Sequence, residues 1–298
     1  MPGYTRRPEW LKLSPIDPRV LNKTVGLLRE WKLHTVCEGA KCPNRADCFR
    51  SSTATFMILG DTCTRDCTFC AVNHGRPKPV DSQEPEHIVE AVKKLGLKYV
   101  VITSVTRDDL PDGGAYLFAR VIEALRRYNT EISVEVLIPD FRGSLPALKA
   151  VVAARPAVLN HNVETVPCLY SKVRPRANYQ QSIDLLKRAK ELNSQLLTKS
   201  GFMLGLGETK EEVIDLLADL KAANCDIVTI GQYLQPSFKH HSVIRYVPPE
   251  EFEEYREIGE GMGFGVVVSA PLVRSSFQAA ETYRRAKAQG ESVRNAGT

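Results

Sequence analysis

The 298-residue sequence predicts an α/β fold, a partial (β/α)6 barrel of the TIM-like kind. Two observations lead there. Beyond Ile58, short β-rich runs alternate strictly with longer amphipathic stretches, and six strand–helix units in a row imply parallel strands joined by right-handed crossovers. No Gly-x-Gly-x-x-Gly follows the first strand, which argues against the other parallel architecture, an open dinucleotide-binding sheet.

The strands are expected in "ATFMILG" (54–60), "YVVITSV" (99–105), "ISVEVLI" (132–138), "AVLNHNV" (157–163), "LTKSGFML" (197–204) and "DIVTIGQYL" (226–234). A seventh follows in "FGVVVSAPLV" (264–273). Helices are expected from Glu84, Gly114, Ser144, Asn178, Thr209 and Pro248; several open on Ser, Thr or Asn beside an acidic first turn, and Gly96 and Gly263 act as stops. Three parts result: an N-terminal extension (1–53), a barrel core (54–263) and a C-terminal strand with an extension (264–298).

Composition narrows the function. A 43% hydrophobic, 25% charged chain suits a soluble globular protein, and no run of eighteen apolar residues suggests a membrane span. The N-terminus reads as neither a signal peptide nor a transit peptide, so the cytoplasm is the expected compartment. The net charge of +5 comes without blocks of like charge, and nucleic-acid binding is not indicated. With no heptad or edge-pairing signal, a monomer is expected.

Eight cysteines in a large chain of this kind point to metal ligation or catalysis rather than disulfides, and six lie between Cys37 and Cys70. Cys168 and Cys225 read as ordinary half-buried thiols. His74 reads as structural or surface, and the pair His240–His241 as a solvated loop. "GDTCTRDCTFC" places Cys63, Cys67 and Cys70 at C-x3-C-x2-C, in the loop after the first strand, where a barrel carries its chemistry. A structural zinc site would need a fourth ligand from elsewhere, whereas three thiolates on a [4Fe–4S] cluster leave one iron open to a small molecule. "TVCEGAKCPNRADCF" supplies a second triplet, Cys37, Cys42 and Cys48, at C-x4-C-x5-C.

The first triplet, with Phe69 just before its last cysteine, resembles the radical S-adenosylmethionine (SAM) superfamily. The two triplets together are similar to the lipoyl synthase family, as are "TSVTRDDLPDGGA" (103–115), "LNHNVETV" (159–166), "KSGFMLGLGET" (199–209), "IGQYLQPS" (230–237) and "VRSS" (273–276). The likeness spans Trp31 to Phe277. Two departures stand out: Phe277 where the family usually has tyrosine, and Gly39 where a second glutamate is common.

The resemblance implies two [4Fe–4S] clusters and SAM as cofactors. Cys63, Cys67 and Cys70 would hold the cluster that cleaves SAM to a 5′-deoxyadenosyl radical. Cys37, Cys42, Cys48 and Ser276 would hold an auxiliary cluster that gives up its sulfur, the hard serine oxygen making a labile bond to iron. Asn162, Glu164 and Arg174 would contact SAM, Arg174 (with Arg176 beside it) offering a guanidinium fork to a carboxylate. Gly205 and Gly207 would lie in the strand end that packs the adenine. The implied reaction inserts two sulfur atoms at carbons 6 and 8 of an octanoyl chain on a carrier-protein lysine, with two SAM molecules used. The implied partners are an octanoylated lipoyl domain or glycine-cleavage H-type carrier, a ferredoxin or flavodoxin reductant, and an iron–sulfur carrier that rebuilds the spent cluster. Two alternatives stay open: another dual-cluster sulfur-inserting radical SAM enzyme, such as a biotin-synthase-like one, and a non-catalytic zinc protein that docks a partner.

Overall fold

The computed structural model describes residues 7–12, 26, 31, 33–39, 44 and 55–296. Strand β1 (His34–Thr35) pairs antiparallel with β2 (Thr55–Ile58). β3 (Thr62–Cys63) and β4 (Asn73–His74) form a separate two-stranded ladder. β5 (Tyr99–Ser104), β6 (Ser133–Leu137), β7 (Val158–Asn160), β8 (Leu197–Leu204), β9 (Ile227–Gln232) and β10 (Val266–Ser269) then add to β2 one after another, all parallel. The six expected parallel strands and the seventh are therefore present. Among the described residues β1 and β10 are the two edges of the sheet, which makes the barrel a partial one.

The helices follow the same order: α1 (Val36–Gly39), α2 (Glu84–Leu95), α3 (Ala115–Tyr128), α4 (Leu145–Ala153), α5 (Tyr170–Val173), α6 (Tyr179–Leu192), α7 (Lys210–Ala222), α8 (Pro249–Gly261) and α9 (Ala279–Ala296). Their ends carry the signals that the sequence offers. Ser144 and Asn178 accept N–H groups of α4 and α6, and Thr209 and Glu212 complete a reciprocal cap on α7. Gly96 adopts the left-handed conformation (φ 63°) that ends α2. Among the described residues, no helix is long and apolar enough to cross a membrane.

Alternation along the strands divides the core. Val100 and Ile102 of β5 turn outward and pack with Ile88, Val92, Phe118 and Ile122 of α2 and α3. Val228 and Ile230 of β9 pack outward with Leu216, Leu220 and Phe252 of α7 and α8. The inward side of the sheet is unusually polar: Thr103, Glu135, Asn160, Lys199 and Thr229 are all buried there. Lys199 and Glu135 form an ion pair at 2.9 Å with both side chains 1% exposed, and Tyr99 donates to Glu135 at 2.7 Å. Helix α9 closes this end of the barrel. Its Ala286 packs against the first residues of β8, β9 and β10 (Leu197, Ile227, Val266), and the Tyr283 ring lies 5.5 Å from that of Tyr99.

Candidate active site

The strands release their loops into one cavity of about 650 Å³, within the roughly 300–1,000 Å³ typical of small-molecule sites. Its floor is Thr55, Met57, Thr103, Leu137, Gly201 and Thr229 from five strands. A shallower hollow of about 400 Å³, lined by Asp108, Leu110, Phe141 and Ser144 among others, contains none of the thiols.

β2 leads into the thiol loop through a left-handed turn at Leu59 (φ 67°) and Gly60 (φ 87°). The turn is gripped from both sides: Leu59 N donates to the Glu84 carboxylate at 2.9 Å, and Arg107 donates to Leu59 O at 3.1 Å. Burial pushes the Glu84 carboxyl up to about 7, against the two backbone N–H groups it accepts. The loop itself is fastened by its neighbours. Thr64 N donates to Thr106 O at 3.0 Å, Thr68 N to Val173 O at 3.0 Å, and His241 N to Thr68 O at 2.8 Å. His240 Nε2 lies 3.1 Å from Cys70 O. The histidine pair therefore tethers the loop after β9 to the thiol loop instead of standing in solvent.

Cys63, Cys67 and Cys70 are free, partly buried thiols that all line the cavity. Burial pushes the Cys70 thiol up to about 12 and raises Cys67 as well, so without a cation these sulfurs stay protonated. Among the described residues, no three His, Cys, Asp or Glu side chains close on a point that would take a single metal ion. A [4Fe–4S] cluster asks for a wider arrangement, since each thiolate binds a different iron. Three partly buried thiols that line one cavity fit that group.

Asn162, Glu164 and Arg174 line the same cavity. Asn162 donates to Glu164 at 3.1 Å and accepts from the Ser275 hydroxyl at 2.9 Å. Burial raises the Glu164 carboxyl above its ordinary value, with Arg174 pulling the other way. Arg174, 9% exposed, donates through Nη1 to Asn162 O, Val163 O and the Tyr170 hydroxyl, while its buried Nε has no partner. Arg176 does not line the cavity; its guanidinium donates to Thr64 O at 2.7 Å and braces the thiol loop from outside. Gly205 and Gly207 are also outside the cavity lining. With φ of 91° and 118° they form a turn wrapped on Glu208, whose carboxylate accepts the N–H groups of Gly205, Leu206 and Gly207 at 2.6, 2.9 and 3.1 Å.

Ser276 reaches the cavity from the segment after β10, together with Arg274, Ser275 and Phe277. That segment can lie so close because Gly231 has no side chain: a Cβ there would sit 2.1 Å from Val273 O. Asn44, between two cysteines of the second triplet, also lines the cavity and donates to Leu272 O at 2.6 Å. Of the second triplet, Cys42 and Cys48 lie outside the described residues, as does the side chain of Cys37. Cys168 is exposed and donates to Glu212 at 2.8 Å, and Cys225 is buried; neither lines the cavity.

Residues 57–220 match the radical SAM superfamily. A lipoyl synthase of Caldanaerobacter subterraneus subsp. tengcongensis is 55% identical over 92% of this chain and 96% of its own length. One of Aquifex aeolicus is 57% identical over 86% of this chain and 93% of its own. The chain belongs to the lipoyl synthase family. It is a radical SAM enzyme, and the non-catalytic zinc alternative falls away. In fold it is also like HydG, a maturase of the [FeFe]-hydrogenase, with TM-score 0.56 and 16% identity over 93% of this chain and 61% of that one.

Proposed function

We propose that this member of the lipoyl synthase family inserts two sulfur atoms at carbons 6 and 8 of an octanoyl chain held in amide linkage on a carrier-protein lysine. The observation that carries the reading is the convergence on one cavity of the C-x3-C-x2-C thiols, of Ser276, and of Asn44 from within the second triplet. When bound, the two [4Fe–4S] clusters supply, respectively, the electron that cleaves SAM to a carbon-centred radical and the sulfur that the substrate takes up. The rest of the chemistry is placement. Unactivated C–H bonds are indifferent to acid–base catalysis, so the protein's task is to hold substrate and reagents in register and keep water out.

In this reading Cys63, Cys67 and Cys70 anchor the first cluster, and Cys37, Cys42, Cys48 and Ser276 the second. The unpaired Nε of Arg174 suits the SAM carboxylate, and Asn162 and Glu164 accept and donate around its polar groups. Gly205 and Gly207 form the turn that follows β8, whose Phe202 and Met203 line the cavity where the adenine would pack. Met57, Val105, Leu137 and Met203 give the cavity apolar walls for the octanoyl chain. The parts of the chain divide accordingly into an N-terminal extension (1–53), the barrel (54–263) and a C-terminal segment (264–298) that brings Ser276 in. The carrier is a lipoyl domain or a glycine-cleavage H-type protein, electrons come from a ferredoxin or flavodoxin, an iron–sulfur carrier restores the spent cluster, and the enzyme works as a cytoplasmic monomer.

The test uses anaerobically reconstituted protein with SAM, dithionite and an octanoyl-lysyl peptide, read by mass spectrometry. A product with two sulfurs in place of two hydrogens is expected. Cleavage of SAM with the peptide returned unchanged would overturn the substrate assignment.

A further inference from the structure

Arg65 lies between the first two cysteines of C-x3-C-x2-C. Its guanidinium is buried, 6% exposed, and bound on two sides. Nε and Nη2 donate to the two carboxylate oxygens of Asp108 at 2.7 and 2.9 Å. Nη1 and Nη2 donate to the two oxygens of Asp140, both at 2.7 Å. Asp108 sits in the loop after β5 and Asp140 in the loop after β6, so one side chain joins the thiol loop to two neighbouring strands of the barrel. The Arg65 backbone N–H meanwhile points at Cys63 Sγ, 3.4 Å away.

Asp140 is held just as firmly. Its side chain is fully buried, and it caps a left-handed turn through Phe141, Arg142 and Gly143 (φ 46°, 53° and 76°), accepting Arg142 N at 3.0 Å. Two consecutive non-glycine residues in that region are costly and persist only where the surroundings determine them. Burial works against the charges of Arg65 and Asp140. Four short hydrogen bonds to the carboxylates of Asp108 and Asp140 work the other way. Buried ion pairs are poor devices for stability alone, because desolvation cancels most of the attraction. What a doubly bidentate guanidinium does supply is geometry: a planar fork admits one orientation, which a lysine cannot reproduce.

We propose that Arg65 is a positioning residue for the SAM-cleaving site, its forks to Asp108 and Asp140 setting the path of the chain between Cys63 and Cys67, on which the placing of SAM against the cluster would depend. The proposal rests on the reading that these cysteines hold the first cluster. Asp108 and Asp140 are the anchors, and Arg65 acts through the thiol loop that it holds.

The test compares the wild-type holoenzyme with Arg65→Lys, Arg65→Gln and Asp108→Asn, each full-length and anaerobically reconstituted. Iron content, melting temperature and the electron paramagnetic resonance spectrum of the reduced protein are recorded with and without SAM. Both Arg65 variants are expected to need at least tenfold more SAM to produce the SAM-dependent change in the spectrum, Arg65→Lys failing to rescue despite its charge. Asp108→Asn, which keeps the buried Asp140 fork, should shift the same way but less, and it carries the test if the Arg65 variants do not fold. A lowered melting temperature with a wild-type SAM response would reduce Arg65 to a structural role and overturn the proposal. A wild-type cluster signal that does not respond to SAM would instead remove the assignment of the three thiols, and this proposal with it.

Discussion

Arg174 is held through Nη1 by two backbone carbonyls and a tyrosine hydroxyl, yet its Nε is buried without a partner at the cavity wall. A buried donor left unpaired is unfavourable until a ligand meets it, and a carboxylate would return about 1.5–3 kcal/mol through a charged hydrogen bond. Arg174→Gln is therefore expected to raise the KM for SAM about tenfold or more, with a smaller effect on the KM for the octanoyl peptide; steady-state kinetics with each substrate varied checks this. At this scale the place of the first cysteine triplet on the cavity was legible from its spacing, because three thiols in eight residues have few other uses. Arg65 was not. Its partners are 43 and 75 residues away, and nothing local distinguishes a clamped arginine from a solvated one. Ser276 was reached only through resemblance, since a lone serine carries no signal of its own.

Helix α2 places Glu84 in its first turn, and that carboxylate holds the turn that leads to the thiols. Its folded pKa of about 7 lies above the ordinary value of 4.5, so the native state binds the proton more tightly than the unfolded chain. The stability this contributes is complete below pH 4.5 and lost as pH rises through 7. Chemical unfolding of wild type and Glu84→Gln between pH 5 and 8 should show wild type losing ground to the variant on the order of 3 kcal/mol as pH rises. A constant difference would mean that Glu84 is already ionised at pH 5. The strands and the six main helices were readable because alternation and caps are local features. Helix α9 was missed for a physical reason. Among its described side chains the buried ones are Ala279, Thr282 and Ala286, too small and too weakly apolar to stand out from "AAETYRRAKAQ".

As a whole, the molecule is a barrel with a polar interior, sealed below by α9 and open above to the cavity. That arrangement was only half legible. The order of strands follows from the alternation, but the plug and the Lys199–Glu135 pair depend on which side chains meet across the barrel. Removing one partner would leave an uncompensated buried charge. Lys199→Met is expected to destabilise by about 3–5 kcal/mol, and Lys199→Met with Glu135→Leu to recover most of that, as measured by urea unfolding. The central proposal concerns the upper end, where Cys63, Cys67, Cys70 and Ser276 line one cavity and the protein's own auxiliary cluster would be the source of sulfur. Its most direct test is the mass spectrum of the peptide product from a single turnover by protein reconstituted with ³⁴S-sulfide, assayed in sulfide-free buffer. The expected product carries two heavy sulfurs. A product whose sulfur is unlabelled would contradict the proposal.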